Sequence, residues 1–331
     1  MEICGTHTMS IARAGIKALL PENIKLLSGP GCPVCVTPSG VIDSILELSK
    51  NKNIIITTYG DMLKVPGSVK GESLAMQKAR GAAVETVYSP VDAIKIAKKN
   101  SEKEVVFLGV GFETTSPGTA AAVISAKNEN VKNFSVLCML KKVEPALRTL
   151  IETEDFNVNG FLCPGHVAVI TGEKGFEFLC DEYKIPSVIA GFEPKEIITA
   201  ITMLLKQIEQ NEAHLENAYK SVVNHEGNTL AKEIVESCMK PCDSDWRGLG
   251  MIPSSGLALK KEYENFDAAK RFDMIFEESE VKTACRCGDV ICGRLDPTEC
   301  PMFGTVCTPE DPEGPCMVSS EGACAAAYKY R

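Results

Sequence analysis

The chain has 331 residues, is 44% hydrophobic and carries a formal charge of -9, which gives it enough length for two or three domains, each with its own core. No run of Lys and Arg could neutralise a row of phosphates, so nucleic acid is excluded as a partner; no stretch reaches about 18 uninterrupted apolar residues, so a membrane span is excluded too. The opening Met1-Glu2-Ile3-Cys4 has no basic or apolar leader, which predicts a cytoplasmic protein whose fifteen cysteines are metal ligands and redox thiols rather than structural bridges.

Taken in chain order, the first motif is Cys4-Gly5-Thr6-His7, a thiol and an imidazole that both suit a first-row metal. From about residue 9 to residue 210, amphipathic and short apolar segments alternate in the βα rhythm of a parallel sheet covered by helices. Strands are predicted at 24–27, 54–58, 104–110, 135–139, 160–163 and 187–190, mostly unbroken apolar runs of the kind that strands buried on both faces require. Gly29-Pro30-Gly31-Cys32-Pro33-Val34-Cys35 places a C-x-x-C after the first strand. A helix predicted to begin at Pro38 would offer it N-terminal amides that favour a reactive thiolate. Ser89-Pro90 starts another helix with a hydroxyl cap and a first-turn proline, and Pro194 opens a long helix towards Glu212.

Three loops fall where strands should end: Gly109-Val110-Gly111-Phe112-Glu113-Thr114-Thr115, Cys163-Pro164-Gly165-His166 and Gly191-Phe192-Glu193-Pro194. Ligands gather beyond the carboxyl ends of strands in open α/β sheets, so Glu113 and His166 are candidates for one cleft. Gly109-x-Gly111 lacks the third glycine of a dinucleotide fingerprint, and no lysine supplies a P-loop. The predicted architecture is α/β: two similar parallel-sheet α/β domains at 1–100 and 101–212, then a helical segment and a loop-rich cysteine domain at 213–331. Residues 213–281 read as polar helix containing the sole tryptophan, Trp246, with His214 and His225 on the surface, and the composition shifts to Cys, Pro and Gly after Lys282.

Cys285, Cys287, Cys292, Cys300, Cys307, Cys316 and Cys324 crowd the end of the chain. Thiolates in this number suit a 4Fe-4S cluster or a tetrahedral zinc. Zinc sites favour paired cysteines with two to four residues between them, whereas these gaps are mostly wider, which points to the cluster. Either Cys285 or Cys287 can begin a ligand series that continues through Cys300, Cys307 and Cys324. The surplus thiols could cycle between dithiol and disulfide beside it.

These motifs, with Tyr59-Gly60-Asp61-Met62, Cys300-Pro301 and Ser319-Ser320-Glu321-Gly322-Ala323-Cys324 in the same order, closely resemble the HypD family of nickel-iron hydrogenase maturation scaffolds. The resemblance implies two α/β domains and a 4Fe-4S domain. It also implies a scaffold rather than a turnover enzyme, on which one additional iron acquires two cyanides and a carbon monoxide, as Fe(CN)2CO. A HypC-type small chaperone would share the iron, and a HypE-type partner would donate cyanide from a thiocyanate. Residue by residue, Cys4 would hold the iron with His7 close by, Cys32 and Cys35 would stand near the cleft, and Glu113, Thr114 and His166 would line it. Cys285, Cys300, Cys307 and Cys324 would hold the cluster, and Cys287 and Cys316 would be the neighbouring redox pair. A disulfide reductase of the ferredoxin-thioredoxin reductase kind would use the same thiols without needing Cys4 and His7, and a zinc-stabilised interaction module would do no redox chemistry.

Overall fold

Ile54-Ile55-Ile56-Thr57-Thr58 is a β-branched run with no polar alternation, and it forms β1 (Ile54–Thr58), buried at every position. The computed structural model describes residues 1–276 and 284–330. In it β1 is joined by β2 (Val84–Thr86), β3 (Glu104–Gly111) and β4 (Phe134–Leu140) in a parallel sheet of order β2-β1-β3-β4. The crossover helices Pro90–Lys99 and Ser116–Asn128 lay Ala93, Ile94, Ala120 and Val123 on Val105, Phe107 and Val136. Each fully buried Val, Ile or Phe there contributes about 1.5–3 kcal/mol. Ser89 caps the first of these helices by accepting Val91 N, as its sequence predicts.

A second parallel sheet consists of β5 (Phe161–Pro164), β6 (Ser187–Ala190) and β7 (Leu215–Asn217) in that order. The helix Pro194–Gln210, opened by a Glu193–Glu196 capping box, buries Ile197, Ala200, Ile201 and Leu204 on it. The molecule is thus α/β with two parallel sheets, as expected. Segment 24–27, however, is not a strand. Glu2 makes single parallel bridges to Ser28 on one side and Leu162 on the other, with Glu2 N bonded to Leu27 O at 2.9 Å and Leu162 N to Met1 O at 2.9 Å. Residues 1–3 therefore wedge into the position beside β5 that an added strand would occupy.

The topology also differs from the expected divisions. β1 and β3 pair across the predicted boundary at residue 100, with Ile54 opposite Glu104, so strands on both sides of it share one sheet. β7, beyond residue 212, completes the second sheet. The text read as polar helix holds the helix Thr229–Cys238 followed by an antiparallel hairpin, β8 (Met239–Trp246) and β9 (Gly250–Leu259). Met239, Leu257 and Leu259 pack on the β1–β4 side of the core. These strands mix buried, half-buried and exposed positions and contain Pro241 and Pro253, so they lack the apolar runs that mark the central strands. The predicted junction at Lys282 lies outside the described residues. From Ala284 on the chain is loop-rich, with the short helices Cys287–Ile291 and Ala323–Lys329 and isolated 3-10 turns. Among the described residues no helix is long and apolar enough to cross a membrane.

Candidate metal and thiol site

Cys4 is the N-cap of the helix Gly5–Arg13 and is 8% exposed. Burial pushes its thiol up to about 12, although the backbone N–H groups of His7 and Thr6 pull the other way. Three neighbours seat it. The Glu2 carboxylate accepts Cys4 N at 3.1 Å and the Thr8 hydroxyl, and burial raises Glu2 to about 7. Gly5 N bonds Gly31 O at 3.0 Å. Thr6 Oγ1 donates to Glu321 Oε1 at 2.9 Å, so the far end of the chain closes over its beginning.

One helical turn on, His7 is fully buried, and its Nε2 lies 2.9 Å from Gly191 O. A carbonyl only accepts, so Nε2 carries the proton, and Nδ1 keeps its lone pair and has no hydrogen-bond partner among the described residues. Burial lowers His7 to about 4 and leaves the ring neutral at pH 7. Its ring stacks on Phe192 at 4.7 Å, and Phe192 stacks on His166 at 3.8 Å. The loops after β5 and β6 thus meet Cys4-Gly5-Thr6-His7, with His166 at the exposed end.

Cys32 and Cys35 form a disulfide. The following helix starts at Ser39, with Pro38 extended at its N-cap and Thr37 Oγ1 turned back to Pro33 O; the predicted start at Pro38 is one residue early. Cys32 is 5% exposed and Cys35 fully buried. Cys35 N donates to Cys32 Sγ at 3.1 Å, and Ser319 Oγ stands 3.3 Å from the same sulfur. Ser319 in turn lies 3.4 Å from Asp61 Oδ2, which also accepts Ser320 N at 3.0 Å and Ser320 Oγ at 2.6 Å.

Cys285, Cys287, Cys300, Cys307, Cys316 and Cys324 line one small cavity, closed by Val290, Met302, Phe303 and Met317. Cys292 is elsewhere, 3.7 Å from Gly248 O. Within the ring of thiols Cys285 bonds Cys287, and Cys316 bonds Cys324. The bond from Cys285, with Arg247 near it, holds Cys287 towards thiolate, while the bond to Cys316 holds Cys324 towards thiol. Arg247 also ties this wall to the C-x-x-C loop, its N and Nε donating to Val36 O and Thr37 O at 2.9 Å.

Among the described residues no three His, Cys, Asp or Glu side chains close on a single point as the ligands of one ion do. Ligands of a cubane stand around a larger body, and the donor chemistry here fits one: soft thiols, an apolar wall and backbone N–H groups aimed at sulfur. Glu313 N approaches Cys307 Sγ at 3.4 Å and Cys324 N approaches Cys316 Sγ at 3.4 Å. Gly314 belongs to the cradle, since a Cβ there would sit 2.5 Å from Cys285 Sγ.

Glu113 and Thr114 are set apart from this group. Glu113 Oε1 accepts Val143 N at 2.9 Å at the start of the helix Val143–Ile151, its Oε2 is buried without a partner among the described residues, and burial raises the carboxyl to about 7. Thr114 is exposed. Asp61, Phe192, Arg247 and Ser319 carry contacts at the site that no residue-type rule singles out. Asp61 and Ser319 do fall inside motifs quoted above, but each meets its partner only through the fold.

A model of the HypD family, described as the hydrogenase formation hypA family, matches residues 1–331. The chain is 46% identical to hydrogenase maturation factor HypD2 of Bradyrhizobium diazoefficiens and 44% identical to hydrogenase maturation factor HypD of Escherichia coli, in each case over all of this chain and 88% of the other. It is also 44% identical to a hydrogenase expression/formation protein of Methanocaldococcus jannaschii, over all of this chain and 91% of that one.

Proposed function

The chain belongs to the HypD family of hydrogenase formation proteins, and from that membership and the site geometry we propose that it is the scaffold on which the Fe(CN)2CO centre of a nickel-iron hydrogenase is assembled. The iron under assembly is its cargo, held by Cys4 and shared with a HypC-type small chaperone, while a HypE-type partner brings cyanide as a thiocyanate. His7 offers a neutral, fixed nitrogen one turn from Cys4. Cys285, Cys300, Cys307 and Cys324 would hold a resident 4Fe-4S cluster, which when bound supplies electrons one at a time. Releasing cyanide from a thiocyanate leaves a sulfur to be reduced. The Cys32–Cys35 couple and the Cys287 and Cys316 thiols are the groups that can exchange electron pairs.

The observation that carries this reading is the segment 316–324. Cys316 and Cys324 face the thiol cavity, Ser319 touches the Cys32 sulfur, and Glu321 closes over Thr6 beside Cys4. A disulfide reductase would share the thiols, yet Cys32, Cys35, Cys287 and Cys316, each exposed by 5% or less, offer a partner protein's disulfide no access.

Anaerobic purification of the chain with its small chaperone, followed by iron counting and infrared spectroscopy, tests the proposal. Iron in excess of the cluster, with bound cyanide and carbon monoxide bands, is the expected result. Cys4→Ser should lose that excess and those bands while keeping the brown cluster absorbance. Bands of unchanged intensity in Cys4→Ser would overturn the assignment of the cargo site.

A further inference from the structure

A disulfide buried as deeply as Cys32–Cys35 can open only if protons as well as electrons reach it, because two bare thiolates in that setting would carry a large desolvation cost. Outside the disulfide, Cys32 Sγ has two polar neighbours close by. One is Cys35 N at 3.1 Å, a backbone amide that stabilises charge but gives up no proton. The other is the Ser319 hydroxyl at 3.3 Å; a disulfide sulfur has no hydrogen of its own, so the hydroxyl is the donor.

Ser319 is 1% exposed and its surroundings are polarised. Glu321 N donates to Ser319 Oγ at 3.2 Å, and Ser319 Oγ also faces Asp61 Oδ2 as an acceptor at 3.4 Å, beside two bonds that Asp61 takes from Ser320. Asp61 is partly exposed while Cys32 is not. A partly exposed carboxylate, a buried hydroxyl and a buried sulfur therefore stand in a row, although they lie 258 and 287 residues apart in the chain.

We propose that Asp61 and Ser319 form the proton relay of the Cys32–Cys35 couple, an inference that rests on the redox cycling of this couple proposed above. A low-potential one-electron donor delivers two electrons in succession and the S–S bond breaks. Solvent first protonates the partly exposed Asp61 carboxylate; Cys32 sulfur then takes the hydroxyl proton of Ser319 as Asp61 passes its newly gained proton to Ser319. The second proton follows the same path, Cys32 passing its proton to Cys35 across the opened bond. The net change is one disulfide, two electrons and two protons giving two thiols. Ser319 touches the reacting sulfur, and Asp61 acts through it.

The experiment is reduction of the anaerobic, cluster-loaded full chain by dithionite in H2O and in D2O, quenched by alkylation, with the Cys32 and Cys35 thiols counted by peptide mass spectrometry. In the wild-type protein the disulfide opens with a normal solvent deuterium effect. Ser319→Ala and Asp61→Asn should each slow opening about a hundredfold, and Ser319→Ala should alter the deuterium effect, which a loosened loop would not. Ser320→Ala, which removes one bond to Asp61 but leaves the row intact, should open at the wild-type rate. Rates for Ser319→Ala and Asp61→Asn within about twofold of wild type, with the same deuterium effect, would overturn the relay and leave the redox reading standing. A wild-type disulfide that stays closed while the cluster is reduced would overturn both.

Discussion

Glu113 accepts Val143 N with one carboxyl oxygen and buries the other without a partner among the described residues, so its charged form is disfavoured in the folded chain. A carboxyl raised from 4.5 to about 7 contributes stability that is complete below the unfolded value and is lost as pH rises through the folded one. Glu113→Gln should therefore match the wild type near pH 4 and be more stable near pH 8, by about 1–3 kcal/mol in urea unfolding. A gain of equal size at both pH values would remove desolvation as its cause. His7 works in the opposite direction: lowered from 6.5 to about 4, it contributes stability above the first value that is lost as pH falls through the second. Residues whose chemistry lies in their type and spacing, such as Cys4, His7 and the C-x-x-C, were legible in the sequence. The parts played by Asp61, Ser319 and Arg247 were not, because a Ser beside a sulfur 287 residues away leaves no local pattern.

Among elements, the crossing of residues 1–5 over the Gly29–Gly31 turn is a close one. A Cβ at Gly31 would lie 2.3 Å from Cys4 N, and one at Gly5 would lie 2.3 Å from Glu321 Cβ. Neither glycine has a left-handed backbone, so both are required by close approach rather than by conformation. Gly31→Ala should cost about 3 kcal/mol and abolish the excess iron at Cys4 while the cluster absorbance persists. Full retention of that iron would show that the crossing does not position Cys4. The central strands were readable because burial on both faces leaves unbroken apolar text, as in β1 and β3. β8 and β9 were not, since a hairpin with an exposed face reads as polar segments. The expected boundary at residue 100 followed a change in composition, whereas sheet membership follows hydrogen-bonded register.

At the scale of the molecule, the C-terminal segment is both a wall of the thiol cavity and a lid over the N-terminal thiols. Loosening that wall should therefore be felt in three places. Removal of iron by a chelator under anaerobic conditions should raise amide hydrogen exchange in 285–324, and with it in 1–8 and 31–37, leaving β1, β3 and β4 protected. Exchange confined to 285–324 would show that the lid stays shut without its metal.

The bonds from Leu162 to Met1 and from Thr6 to Glu321 also bear on synthesis. The first motif is made before the rest of its seat, which is built from β5 and from residues 316–324. Cys4 is accordingly an open thiol until those later residues have been made, and its pocket forms only once residue 321 is free to fold. If Cys4 holds the iron as proposed, loading has to follow synthesis of residues 316–324, an order dictated by chain topology.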